Sequence, residues 1–158
     1  MYKTQLKVAN WSIVFQEIPN ETTLALNISN CPINCSGCHS PWLRDDIGTP
    51  LTKKFLKELV ETYSGEITCV AFMGGDLEPW TINELAEFIK SLGLKPAWYS
   101  GLQELALFTN IDNFSYIKLG PYIEKLGPLK SPTTNQVLYA IRNGKMHKIK
   151  MYNYASLT

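Results

Sequence analysis

Cys31, Cys35 and Cys38 fall within eight residues, in the run NCPINCSGCHSPW, directly after an apolar, β-branched stretch from Thr22 to Ile28. Three soft ligands in one short segment are the makings of a metal centre. Pro32, Asn34, Ser36 and Gly37 between them are turn formers, which favours an irregular loop wrapped around an ion or cluster over a helix. The number of thiolates bears on chemistry. An iron–sulfur cube held by three cysteines leaves one iron free to bind a substrate, whereas a closed structural site usually supplies four protein ligands.

Two other chemistries use the same residues. Cys35, Cys38 and His39 match the C-x-x-C-H pattern of covalent haem attachment, but that modification usually accompanies export, and MYKTQLKVANWSIVF lacks the features of a secretion signal. A structural zinc site would need a fourth ligand. His39 is adjacent to Cys38, where two neighbouring ligands on one ion are strained, and Cys69 lies in an apolar run that reads as buried strand. His147 reads as a surface residue, and Trp11, Trp42, Trp80 and Trp98 read as core packing.

The elements that must position the cysteines follow from hydrophobic periodicity. Ile13 to Ile18 and Thr22 to Ile28 flank a Pro19-Asn20-Glu21 turn as an opening hairpin that feeds into the cysteine loop. Leu51, Phe55, Leu56, Leu59, Val60 and Tyr63 form a helical stripe capped by Thr52 and stopped at Gly65. Ile67 to Met73 is a strand buried on both faces, ending in Gly74-Gly75-Asp76, and Thr81 with Glu84 forms a capping box for the next helix. Lys95 to Tyr99 is a strand ending at Ser100-Gly101, Leu102 to Phe108 a short helix, and Tyr116 to Leu119 a strand ending at Gly120-Pro121. Val137 to Arg142 and Lys145 to Tyr152, around Asn143-Gly144, close the chain as a hairpin. Alternating strands and helices predict a parallel sheet whose loops after the carboxyl ends of the strands share one edge. The cysteine loop, Gly74-Gly75-Asp76, Ser100-Gly101 and Gly120-Pro121 would meet there. The glycines would let backbone approach a ligand, and Asp76 would accept from an ammonium group, making a pocket for a zwitterion beside a cluster.

At 158 residues the chain fits one domain, residues 1–158. A net charge of +1 and a pI near 7.6 give no field for nucleic acid or for a membrane surface. No stretch reaches the roughly 20 apolar residues of a membrane span. A cytoplasmic location is the expectation, and in that reducing compartment clustered cysteines serve as metal ligands more often than as disulfides.

These residues resemble the radical S-adenosylmethionine (SAM) superfamily, which pairs a CxxxCxxC loop with a Gly-Gly-Glu-type turn. Within it they resemble the small activating enzymes of anaerobic (class III) ribonucleotide reductase, in which CPINCSGCHSPWL, FMGGDLEPW, WYSG, YIKLGPY and SPTTNQVLY have counterparts in the same order. Gly37 in place of an aromatic residue and Asp76 in place of Glu favour that branch, whereas Ser131 to Thr134 depart from its usual Gly-Ser stretch. The resemblance implies a small, incomplete TIM-like β/α barrel with parallel strands and terminal hairpins. It implies a [4Fe–4S] cluster on Cys31, Cys35 and Cys38, with SAM chelated to the fourth iron. Gly74, Gly75, Asp76 and Ser100 would contact SAM, and Gly37 and His39 its adenosine end. One electron from reduced flavodoxin or a similar donor would cleave SAM to methionine and a 5′-deoxyadenosyl radical. That radical would take a hydrogen from a glycine of the large subunit of the reductase. The alternatives are the same chemistry on another glycyl-radical enzyme or a small molecule, and a zinc-binding interaction module.

Overall fold

A computed structural model describes residues 4–33 and 41–150. Its frame is a sheet of eight strands: β1 (Lys7–Phe15), β2 (Thr22–Ile28), β3 (Thr49–Pro50), β4 (Cys69–Met73), β5 (Lys95–Tyr99), β6 (Tyr116–Leu119), β7 (Val137–Arg142) and β8 (Lys145–Ile149). Among the described residues two α-helices accompany it, α1 (Lys53–Thr62) and α2 (Pro79–Ser91). The strand order is β3-β1-β2-β4-β5-β6-β7-β8. The four inner strands β2, β4, β5 and β6 are mutually parallel, while β1 and β3 on one side and β7 and β8 on the other run antiparallel to their neighbours.

This arrangement corrects the expected incomplete TIM-like barrel. Even a partial barrel of that kind repeats parallel strands each followed by a helix, whereas this sheet is mixed, with four parallel strands flanked by antiparallel ones and two α-helices among the described residues. The expected helix from Leu102 to Phe108 is also absent; that segment is irregular, and the crossover from β5 to β6 carries only a 3₁₀ turn at Ile111–Asn113. Its apolar residues are not a core-facing stripe, because Leu107 and Phe108 are exposed.

The helices form for the reasons their sequences give. Thr52 Oγ1 accepts a hydrogen bond from the Phe55 amide at 3.1 Å, capping α1, whose Leu56 and Leu59 are buried. Gly65, with φ of +83°, follows the end of the helix. Pro79 occupies the first turn of α2, where its missing N–H costs nothing. Thr81 is therefore not the cap. Its hydroxyl donates to the Glu78 carboxylate at 2.8 Å, and that carboxylate also accepts from the Gln5 amide at 2.6 Å and the Thr4 hydroxyl at 3.2 Å.

Alternation along the inner strands sorts two cores. Leu24, Leu26, Ile28, Val70, Phe72, Trp98 and Ile117 pack with Leu56, Leu59, Ile82, Leu85 and Ile89 of the helices. Each such fully buried side chain contributes about 1.5–3 kcal/mol. The opposite face carries the smaller residues Cys69, Ala71 and Ala97, with Tyr99, Ile18 and Leu138. The closing hairpin runs through Asn143 and Gly144 at φ of +53° and +71°, as the two-residue turn requires; Tyr152 lies outside the described residues. The opening strand starts at Lys7, earlier than Ile13, with a bulge between Val8 and Asn10. No helix among the described residues is long and apolar enough to cross a membrane.

At the amino-terminal edge of the parallel strands, Glu21 is buried and accepts from Thr68 Oγ1 at 2.7 Å, Lys95 Nζ at 2.9 Å and Tyr116 Oη at 2.5 Å. Burial pushes this carboxyl up, but the three hydrogen bonds and the Lys95 charge outweigh it and hold its pKa below the ordinary 4.5. A carboxyl lowered on folding stabilises fully above its unfolded pKa. That contribution is lost as pH falls from about 4.5 through the lowered folded value. Glu21→Gln should flatten this part of the acid-unfolding profile, measured by circular dichroism from pH 7 downward; an unchanged profile would show that Glu21 does not govern it.

Candidate metal and cofactor site

The parallel register aligns Asn27 of β2, Met73 of β4, Tyr99 of β5 and Lys118 of β6 in one row across the sheet. The segments that follow leave from this edge. After β2, the Ser29 hydroxyl donates to the Ile47 carbonyl at 2.6 Å, the Cys31 amide donates to the Leu43 carbonyl at 2.8 Å, and Asn30 takes a left-handed φ of +59° between them. The departing and returning arms of the cysteine loop are thus tied together at its base, with Cys31 partly exposed at the tie. Cys35, Gly37, Cys38 and His39 lie outside the described residues, so the geometry bears on the first cysteine alone. Among the described residues no three metal-ligating side chains converge.

After β4, Gly74 and Gly75 take φ of +114° and +91°, conformations that favour glycine. The Gly74 carbonyl accepts the Trp98 indole N–H at 2.8 Å, and the Gly75 carbonyl accepts the Glu78 amide at 3.1 Å. A Cβ on Gly75 would stand 2.5 Å from Ile82 Cδ1, so this glycine makes room for the helix core rather than for a ligand. Asp76 accepts from the Ser100 hydroxyl at 2.6 Å and from the Gly101 amide at 2.9 Å. It clasps the loop after β4 to the loop after β5. A carboxylate has about four acceptor sites, so capacity for an ammonium remains.

The cysteine loop joins this clasp through Ile33. A Cβ on Gly101 would stand 2.8 Å from Ile33 Cγ1, so the absence of a side chain lets the loop after β2 press against the loop after β5. Cys31, Gly74, Gly75, Asp76 and Ser100 therefore belong to one connected edge. Cys69 does not. It is fully buried in β4, and burial pushes its thiol up to about 12, which keeps it protonated and poor as a ligand.

Two features of the edge were missed from sequence. Lys118 is 8 % exposed, donates to the Gly120 carbonyl at 3.0 Å and lies 5.8 Å from the Tyr99 ring centroid. A lysine inside the apolar run YIKLG was the available signal. The second is exposed apolar surface: Trp42, Leu77 and Trp80 follow β2 and β4, and Leu107 and Phe108 follow β5. Only Trp98 of the four tryptophans is fully buried, correcting the expectation that all pack in the core. Phe108 is 100 % exposed with φ of +62°, a strained combination for an aromatic residue.

Asp76→Ala should leave the sheet folded while freeing the Ser100–Gly101 segment, with a stability loss of about 1–3 kcal/mol from two orphaned donors. Hydrogen exchange at the Gly101 amide is the measurement, and unchanged protection would remove Asp76 from this role.

One edge of this mixed eight-stranded sheet thus gathers Cys31, a glycine turn and a carboxylate clasp. The family described as a 4Fe-4S single cluster domain matches residues 22–106, from the start of β2 through the loop after β5. That is more than half of the chain, and the chain belongs to this family: it is an iron–sulfur protein. No match was found among curated proteins or among solved structures.

Proposed function

We propose that this chain is a radical SAM activase that generates a glycyl radical on an anaerobic ribonucleoside-triphosphate reductase. The observation that carries the reading is the single edge at which Ile33 of the cysteine loop meets Gly101, while Asp76 holds Ser100 and Gly101. A cluster and a zwitterionic cofactor need such neighbouring loops, and Cys31, Gly74-Gly75-Asp76 and Ser100-Gly101 follow the strands that end at this edge. Cys31, Cys35 and Cys38 would ligate the [4Fe–4S] cluster. Gly74, Asp76 and Ser100 would line the methionine end of SAM with backbone and carboxylate groups, and Gly37 and His39 would meet the adenosine end.

When bound, the cluster and SAM supply the one-electron chemistry that ends in removal of a hydrogen atom from glycine. The chain's own part is orientation and shielding. Asp76 fixes the Ser100–Gly101 loop, and the buried Lys118 ammonium offers a counter-charge for a carboxylate at the same edge. A protein substrate is favoured by the exposed Trp80, Leu107 and Phe108, since large apolar side chains left in water often mark an interaction surface.

The test is to mix the reconstituted protein, SAM, reduced flavodoxin and the reductase large subunit without oxygen and record the electron paramagnetic resonance spectrum. A glycyl doublet on the reductase is expected. Absence of SAM cleavage would overturn the reading. Cleavage without a radical on that subunit would move the activity to another glycyl-radical enzyme or to a small molecule.

A further inference from the structure

A cavity of about 410 Å³ lies at the amino-terminal edge of the parallel strands, at the opposite end from the cysteine loop. Its lining includes Pro19, Lys95, Ser115, Tyr116, Arg142 and Ile149. The volume falls in the range of about 300–1,000 Å³ typical of small-molecule sites.

The charge balance of this cavity is uneven. Glu21 beside it is 4 % exposed and spends its carboxylate on Thr68, Lys95 and Tyr116, so its charge is capped by three donors. Lys95 neutralises Glu21 at 2.9 Å while its side chain stays 55 % exposed, and an ammonium has three donors, two of them still available. Arg142, the last residue of β7, lines the cavity with Tyr116 and makes no hydrogen bond or ion pair among the described residues. One carboxylate against two cations leaves a surplus of one positive charge. Pro19 and Ile149 add apolar wall to the same cavity.

We infer that this cavity is a second binding site, for a small organic anion whose carboxylate or phosphate lies between Lys95 and Arg142 and whose apolar body rests on Pro19 and Ile149. Glu21 positions Lys95 for it and is not itself a contact. The Arg142 guanidinium presents paired N–H donors that match an oxyanion. Because the site lies away from the cysteine loop, occupancy does not depend on the cluster, and its test is independent of the proposed activity.

The experiment is calorimetric titration of the full chain with phenyl phosphate, benzoate, inorganic phosphate and the neutral analogue phenol. Phenyl phosphate or benzoate should bind at least tenfold more tightly than phenol, and the tighter of the two identifies the headgroup. Arg142→Gln, an exposed change that spares the core, should weaken that binding at least fivefold with the unfolding midpoint unchanged. Ala140→Phe, which fills part of the cavity, should abolish it; if that variant does not fold, Arg142→Gln alone decides. Equal binding of phenol, no binding at millimolar probe, or indifference to Arg142→Gln would overturn the site. Inorganic phosphate binding as tightly as phenyl phosphate would reduce it to an adventitious ion only and overturn it equally.

Discussion

Cys31→Ala, Cys35→Ala and Cys38→Ala should each strip the protein of its iron and acid-labile sulfide, while Cys69→Ala should keep both. The thiolate, not the thiol, is the ligand, and the two kinds of cysteine differ in what they must give up to become one. Cys31 is partly exposed at the tied base of its loop, where the Leu43 carbonyl holds its amide at 2.8 Å. Cys69 is fully buried and would have to ionise inside the sheet, with a thiol pushed up to about 12. A cube that needs three thiolates cannot spare one, so each loop variant should lose nearly all its iron rather than a third. Iron and sulfide analysis after anaerobic reconstitution checks this. A cluster that survives Cys31→Ala, or disappears with Cys69→Ala, would overturn the ligand assignment.

The contrast between these cysteines was legible in the sequence because burial follows from pattern. CVAFM is apolar on both faces, so Cys69 belongs inside, whereas Pro32, Ser36 and Gly37 mark a loop. The inner strands and both helices were legible for the same reason. The barrel was not. Alternation of strand and helix specifies that β2, β4, β5 and β6 lie parallel, and turn residues mark the hairpin at each end, but whether those hairpins extend one mixed sheet or flank a partial barrel is set by long-range pairings such as β6 with β7, which local pattern does not carry. LQELALF misled in another way, since its apolar spacing resembles a helix face while Leu107 and Phe108 stand in water. Periodicity reports apolar positions and does not say what covers them. The site was half legible. The pattern put the loops after β2, β4 and β5 at one edge, but it did not show that Asp76, besides the acceptor sites it keeps, holds Ser100 and Gly101. Pairings between side chains and loops 24 or 25 residues apart leave no trace in local sequence.

Gly75 separates the two readings of the glycine turn most sharply. From the sequence, a branched residue there would be expected to leave the cluster intact and to obstruct the methionine end of SAM. In the structure the missing Cβ faces Ile82 of α2, at 2.5 Å from Cδ1 and 2.7 Å from Cγ1, with Ile28 Cδ1 at 3.6 Å. Ile82 is fully buried, so its side chain has no free space to swing into. Overpacking a core costs about 1–3 kcal/mol, and holding a β-branched residue at a left-handed φ adds about 1–2 kcal/mol. Gly75→Val should therefore lose about 2–5 kcal/mol of stability, a large share of the roughly 5–15 kcal/mol of an ordinary domain. Urea unfolding should show a much lower midpoint, and Gly75→Ala a smaller shift in the same direction. Adding Ile82→Val to Gly75→Ala removes the Cδ1 methyl that stands nearest and should recover part of that shift, leaving the backbone strain. If Gly75→Val instead unfolds like the parent and loses only SAM affinity, the glycine faces the cofactor and the packing account of this turn is wrong.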